Sequence, residues 1–211
     1  MTNIPLTPIG GGGMCLADSA LQTADIIVST ASGAVSGGIR FGTSSQVSHA
    51  ALFIGNGQVI EAVGEGVRQV PLSASLKDHC LAVAYRVRGI NPGVALRIVQ
   101  FAHQWAAEKR KYDTLGAAAA GSRARAGGAI CVLVFGIVPC AGAQAGAFKS
   151  SDKFYCSQLV LEAYRRAGAS FIQQNPNTSY PQDLVTAYSQ GKLLYVGHLV
   201  SGEAQSRATT A

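Results

Sequence analysis

Two short runs of β-forming residues, 47–54 and Gln58–Val63, flank the tripeptide Gly55-Asn56-Gly57. Val, Ile and Phe favour strands, and Gly and Asn accept the left-handed backbone of a tight reversal, so an antiparallel hairpin is expected here. Side chains alternate across a strand, so register decides which polar residues share a face. A two-residue Asn56-Gly57 turn sets Leu52 against Glu61 and puts Glu61 on the face opposite His49. A three-residue Gly55-Asn56-Gly57 loop sets Ala51 against Glu61, which makes His49 and Glu61 diagonal neighbours within side-chain reach. The three-residue loop is predicted, with Gly57 left-handed as a bulge.

The remaining pattern mixes strands and helices. Residues 24–30 (ADIIVST) and 82–87 read as buried strands, residues 31–46 as a Ser/Gly-rich loop, and Leu193–Leu199 as a last strand. Asn91-Pro92 is a helix start, with Asn as N-cap and Pro in the first turn. Val94, Ile98, Phe101 and Trp105 come next at helical spacing, and the charged residues from Glu108 to Lys111 end that helix in water. A second helix begins near Cys156, where Leu159, Val160, Ala163, Tyr164 and Ala167 recur at steps of three and four, with Gly168 as its C-cap. This is an α+β pattern. Residues 1–20 read as a flexible lead-in, 21–200 as one domain, and 201–211 as a polar tail.

Residues 127–147 carry no charge, a stretch long enough to cross a bilayer, but Pro139, Gln144 and several glycines interrupt it. An apolar Gly/Ala-rich insertion at about 116–148 is expected, as a packed hairpin or a flexible segment, with membrane contact through 127–147 the less favoured reading. Apolar residues make up 48% of the 211 and charged residues 13%, which is a globular composition. The net charge of +6 favours anionic surfaces. No stretch interleaves aromatics with Lys and Arg as a nucleic-acid platform does, so nucleic acid is not an expected partner. The five cysteines are an odd number, without a CxxC or a zinc-like Cys/His spacing, so no metal is expected. Cys131 and Cys140 either pair or are buried free thiols. The first residues have neither a basic start nor an apolar core, so an ordinary signal peptide is not expected. The chain is expected in the cytoplasm, or exported by a specialised route.

Cys156 falls in the first turn of its predicted helix. Helix N-termini present unpaired N–H groups and partial positive charge, which stabilise a thiolate and can hold the oxyanion of an attacked carbonyl. Taken alone, such a cysteine reads as well as a small apolar core residue. His49 adds a base, and Glu61, in the register above, adds a carboxylate that orients the imidazole and stabilises its charged form. Ser48 and Ser157 flank the pair and are candidates for backbone contacts. His79, His103 and His198 lack matching partners and read as structural. Glu65 and Arg68, assigned to the Gly64–Gly66 turn, read as solvated charges.

The run His-Ala-Ala-Leu-Phe-Ile-Gly-Asn-Gly-Gln-Val-Ile-Glu-Ala from His49, with Phe-Tyr-Cys-Ser-Gln-Leu-Val around Cys156 far downstream, resembles the permuted branch of the NlpC-type papain-like superfamily, which includes YiiX-like amidases and peptidases. There the His hairpin comes first and the Cys helix last, as here. Ala24-Asp25-Ile26-Ile27 resembles the Gly-Asp-Ile/Leu strand that opens these domains, with Ala24 in place of Gly. The resemblance covers about residues 20–200. It implies a circularly permuted papain-like fold, an antiparallel sheet packed against helices that include the nucleophile helix. It also implies Cys156 as nucleophile, His49 as base and Glu61 as orienting residue. The family's Cys-Ser-Glu-Leu is Cys-Ser-Gln-Leu here, with Gln158 replacing a carboxylate, and the insertion at 116–148 is not a family feature. Lys111-Tyr112-Asp113 resembles the Tyr-containing segment before the Cys helix, which implies Tyr112 as an oxyanion or substrate donor. Asp113 reads as a cap for the segment after it.

A cysteine hydrolase of amide bonds is therefore expected, without metal or organic cofactor. The resemblance and the positive charge favour peptidoglycan stem peptides as substrate. A basic wall hydrolase without a signal peptide fits an antibacterial effector of a type VI system, a toxin with a cognate immunity protein. The rivals are a lipid-directed acyl hydrolase or acyltransferase, like the lecithin:retinol acyltransferase relatives, and a non-catalytic binding module on the same fold.

Overall fold

The structure, a computed structural model, describes residues 15–16, 18–31, 47–113, 131–133, 136–138 and 153–199. One sheet organises them, built from β1 (Cys15–Leu16), β2 (Ile26–Ala31), β3 (His49–Gly55), β4 (Gln58–Val63), β5 (Gly66–Pro71), β6 (His79–Val87) and β11 (Leu193–Leu199). Its order is β1-β11-β6-β2-β3-β4-β5. The six strands from β11 to β5 are antiparallel, and β1 joins the edge parallel to β11. Cys15–Leu16, expected inside a loose lead-in, thus form a short strand. The helices are α1 (Leu72–Ser75), α2 (Pro92–Ala107), α3 (Cys156–Arg166) and α4 (Pro181–Ser189). β7 (Lys111–Tyr112) pairs in parallel with β10 (Lys153–Phe154), and β8 (Cys131–Leu133) pairs antiparallel with β9 (Gly136–Val138). The rest of 116–148, residue 140 included, lies outside the described residues.

Strand alternation sorts the core into two faces. Ile26, Val28, Ala50, Leu52, Ile60, Val83 and Tyr85 face α2, α3 and α4 and pack with Ile98, Trp105, Leu159, Tyr164 and Leu184. Ile27, Ala51, Phe53, Val59, Ala82 and Ala84 face the other way and are covered by Leu72 and Leu76, in and just after α1. This is the α+β, papain-like arrangement expected, with the Cys156 helix packed on β3 and β4.

The α2 start is as read: the Asn91 side chain accepts from Val94 N–H at 2.9 Å, with Pro92 in the first turn. At the end of α3, Ala167 is the C-cap and Gly168 takes φ 73° just beyond it. Gly168 N–H bonds Arg165 O and Ala169 N–H bonds Tyr164 O, which is a Schellman closure that needs the left-handed residue glycine provides.

The hairpin has the expected register by a different device. Ala51 pairs with Glu61, Leu52 with Ile60 and Phe53 with Val59. The reversal, however, is a two-residue Asn56-Gly57 turn closed by Gly55 and Gln58, with φ of 50° and 66° at its centre. Left alone it would set Leu52 against Glu61. One additional β3 residue, a bulge at Ile54 and Gly55 with Gly55 at φ 96°, shifts the register by one. The irregularity expected at Gly57 is in β3 instead.

Candidate active site

His49 is the first residue of β3, so its ring is at the end of a strand, where the N-terminus of α3 arrives. Its Nε2 is 2.8 Å from Glu61 Oε2. Its side chain also hydrogen-bonds Cys156, and with Nε2 engaged by Glu61 the ring nitrogen left for that bond is Nδ1. Cys156 is the first residue of α3 and only 6% exposed. The first intrahelical N–H bond belongs to Leu159, at 3.0 Å to Tyr155 O, so the N–H groups of residues 156–158 have no partner within the helix. No acidic residue stands in that first turn to cancel its positive end. The fold therefore brings together Cys156, His49 and Glu61, although Cys156 is 107 residues and Glu61 12 residues from His49 along the chain.

Electrostatics derive from these contacts. Burial alone would lower the pKa of His49, but the hydrogen bonds and negative charge of Cys156 and Glu61 outweigh it and raise the imidazole from 6.5 to about 10. Burial pushes Glu61 up, while His49, Ser75 and Arg68 outweigh it and bring the carboxylate down from 4.5 to about 2. Glu61 is 1% exposed and fully ionised at neutral pH.

Two of its partners are not legible as such in the sequence. Ser75, at the end of α1, donates its hydroxyl to Glu61 Oε2 at 2.7 Å. Arg68 sits in β5 directly opposite Glu61, not on a turn, and donates Nε at 3.0 Å and Nη2 at 2.9 Å to Oε1. Its Nη1 reaches the exposed Glu65 at 3.2 Å. Arg68 is thus not the solvated turn residue expected, and the reason is register: Val63 pairs with Gly66, so Gly64-Glu65 is itself a hairpin turn, and the Gly-Glu-Gly signal marks another strand. His79, the first residue of β6, lies with its ring 5.8 Å from that of His49. Its side chain bonds the backbone of Ser75, and burial, with the His49 charge second, lowers its pKa to about 4, so it is neutral beside a charged neighbour.

The parallel β7–β10 pair, which carries Tyr112, lies immediately before Cys156 in the fold. Phe154, two residues before Cys156, pairs with Tyr112 and packs its ring 4.6 Å from Trp105. Burial first, and then the charges of Cys156, Asp113 and Tyr155, raise the pKa of the Tyr112 hydroxyl, so it is a protonated donor within electrostatic range of the sulfur. Ser157 faces away: its side chain is fully buried and donates to Ser179 O at 3.2 Å, which fixes the 176–180 segment and leaves only its N–H toward the site. Gln158 stands at the helix start, where the family has a carboxylate. Its Oε1 accepts from Tyr155 N–H at 3.3 Å, and its amide donates to Asn177 Oδ1 at 2.7 Å. A recess of about 850 Å³ opens along Gln158, Leu161, Glu162 and Arg165. At 100° per residue these lie on the side of α3 opposite Cys156, so this recess is separate from the sulfur's surroundings.

Among the described residues no helix is long and apolar enough to cross a membrane, and no three His, Cys, Asp or Glu side chains are grouped to hold a metal ion.

No family model matches the chain. It is similar to the probable lipoprotein peptidase YaeF of Escherichia coli strain K12, with 30% identity over 203 residues that take in 86% of this chain and 72% of that protein. It is also similar to the crystal structure of the metalloprotein YiiX from Escherichia coli O157:H7, at a TM-score of 0.50 and 22% identity, covering 87% of this chain and 90% of that one. That second likeness concerns the fold, and in this chain, as the family order requires, the His49 hairpin precedes the Cys156 helix. With a relative matched along most of both chains and this fold in common with YiiX, the chain belongs to the YiiX-like branch of the permuted NlpC-type papain-like superfamily.

Proposed function

We propose that this chain is a cysteine hydrolase that cleaves an amide bond, with Cys156 as nucleophile, His49 as base and Glu61 as the residue that orients His49. The observation that carries this reading is the single line of contacts from Glu61 Oε2, 2.8 Å to His49 Nε2, and on through the imidazole to the Cys156 sulfur at a helix N-terminus. The relative described as a probable lipoprotein peptidase supports it.

In this reading the reaction begins with a protonated His49, its pKa raised by its contacts, as the cation beside the Cys156 sulfur. The thiolate attacks the carbonyl carbon, and the α3 N–H groups, with Tyr112, receive the oxyanion. As the C–N bond breaks, His49 gives its Nδ1 proton to the leaving amine, and a thioester with neutral His49 remains. Water then attacks the thioester, its proton passes to Nδ1, and the C–S bond breaks to restore the ion pair.

For the substrate, peptidoglycan stem peptides are our reading, supported by the resemblance and by the net charge of +6. An exported antibacterial role with a cognate immunity protein extends that reading by analogy alone. The charge-free run 127–147 favours a second reading, a lipid-directed acyl hydrolase or acyltransferase. The deciding experiment incubates wild-type and Cys156→Ala protein with purified peptidoglycan and with phospholipid vesicles, and identifies products by mass spectrometry. Stem-peptide cleavage lost in the variant supports the first reading. Fatty acid or lysolipid release supports the second. Equal inactivity of both proteins, with no thiol labelling of Cys156, returns the chain to a binding module.

A further inference from the structure

Glu61 has more partners than orienting an imidazole requires. One oxygen takes His49 and Ser75, and the other takes two nitrogens of Arg68. The titratable and charged groups around it are His49 from β3, Arg68 from β5, His79 from β6 and Cys156 from α3, with Glu65 and Asp78 farther out. His79 is uncharged at neutral pH. His49 is charged for only part of the cycle, because it gives its proton to the leaving amine and stays neutral until water is activated. In that interval a carboxylate that is 1% exposed would face an uncharged ring, and a buried anion without a counter-ion is costly. It would take up a proton, and the protonated carboxyl would no longer hold the Nε2–H tautomer that leaves the Nδ1 lone pair free to accept from water. Arg68 touches the same carboxylate and cannot lose its charge.

We propose that Arg68 is a positioning residue that acts through Glu61: as a permanent counter-ion it holds the carboxylate anionic and turned toward His49 while the imidazole is neutral. This rests on the reading of His49 as the base for Cys156. Its consequence is specific to one half of the reaction. Forming the thioester begins from an imidazolium, which is itself a counter-ion, whereas hydrolysing the thioester begins from a neutral ring. Losing Arg68 therefore affects release of the acyl group more than its capture. Removing a cation raises the pKa of every neighbouring acid, so the acid limb of the release step moves to higher pH.

The test uses the full chain with p-nitrophenyl acetate as acyl donor, where the burst reports capture and the steady state reports release. Arg68→Met is expected to keep the burst and move the acid limb of the steady state upward by about one pH unit, roughly tenfold slower at a fixed pH on that limb. Intact mass spectrometry should show the acetyl-enzyme accumulating, and Arg68→Lys should restore most of the limb. Glu65→Gln, which removes only the exposed partner of Arg68, should leave it in place. If Arg68→Met does not melt cooperatively, Arg68→Gln, which keeps hydrogen-bonding capacity without the charge, has the same expectation. A folded variant with a Cys156-dependent burst and the wild-type limb overturns the role of Arg68 alone. A wild-type protein whose burst is unchanged in Cys156→Ala removes the underlying reading and this one together.

Discussion

Ala51 lies directly across the β3–β4 hairpin from Glu61, and that pairing puts the carboxylate on the same face as His49, two residues along the strand. The bulge at Gly55 sets this register, so the geometry of the site depends on a turn several residues away from either side chain. Glu61→Gln keeps the shape and removes the charge. It should lower the His49 pKa and move the alkaline limb of Cys156 alkylation by iodoacetamide to lower pH. It should also change how stability varies with pH. His49, raised to about 10, contributes fully below 6.5, and its contribution is lost as pH rises through about 10. Glu61, lowered to about 2, contributes fully above 4.5, and its contribution is lost as pH falls through about 2. The stability difference between wild type and Glu61→Gln, from urea titrations, should therefore be largest between 4.5 and 6.5, on the order of 3 kcal/mol, and shrink on both sides. A pH-independent difference would remove the ion pair from the account.

Gln158 closes the start of α3 with an oxygen and ties down Asn177 with a nitrogen. Gln158→Glu restores the residue usual in the family, keeps the acceptor for Tyr155 N–H, and adds a charge that the helix N-terminus favours by about 0.3–1 kcal/mol. It also removes the donor to Asn177, so net stability should change by less than about 1 kcal/mol. The chemistry should respond more. A carboxylate two residues from the sulfur opposes thiolate formation, so alkylation of Cys156 at pH 6 should slow by a few-fold to roughly tenfold. An unchanged rate would mean that the side chain at 158 is screened from the sulfur.

The legible part of the sequence is local. The Asn91 cap, the Cys156 helix and its Gly168 stop, and the pairing of Ala51 with Glu61 each rest on a pattern that spans a few residues. Turn chemistry is less completely readable. Asn56-Gly57 forms the tighter turn, and the residue that corrects the register is in β3, because a strand absorbs an added residue by bulging without any sequence mark beyond Gly55. The partners of Glu61 escape a sequence reading for a related reason. Arg68 and Ser75 reach it only once β5 is seen as a strand and α1 as the turn of helix after it, and four helical residues carry almost no periodic signal. His79 has no partner in sequence because its neighbour, His49, is two strands away in the sheet.

Ala24 takes φ 73°, in the left-handed region where a Cβ is unfavourable, and it stands where the family has glycine. Its N–H bonds Phe53 O, and its carbonyl accepts the hydroxyl of Tyr164 from α3, so this strained residue joins β2, β3 and the Cys156 helix. Ala24→Gly relieves about 1 kcal/mol of backbone strain and loses a buried methyl of similar value, so its melting temperature should stay within a few degrees of wild type. Ala24→Val forces a β-branched residue into the same backbone and should cost about 2 kcal/mol or more, roughly 4–8 °C at this chain length. Equal melting temperatures for the two variants would show that this turn relaxes to negative φ at little cost.

Tyr112 is brought within electrostatic range of the sulfur by a backbone pairing rather than by its own side chain. Phe154 and Tyr112 are matched in the parallel β7–β10 pair, and Phe154 is anchored against Trp105 and covered by Arg110, 5.5 Å above its ring. Removing the Tyr112 hydroxyl therefore leaves the frame of the site intact, and Tyr112→Phe should melt within about 1 kcal/mol of wild type. If the hydroxyl donates to the oxyanion, kcat should fall roughly 10- to 100-fold with KM nearly unchanged, because the bond is made in the transition state and not in the bound substrate. Alkylation of Cys156, which forms no oxyanion, should proceed at the wild-type rate. A fall in the alkylation rate equal to the fall in kcat would instead assign Tyr112 to the thiolate, as a neighbour that tunes the nucleophile before any carbonyl is attacked.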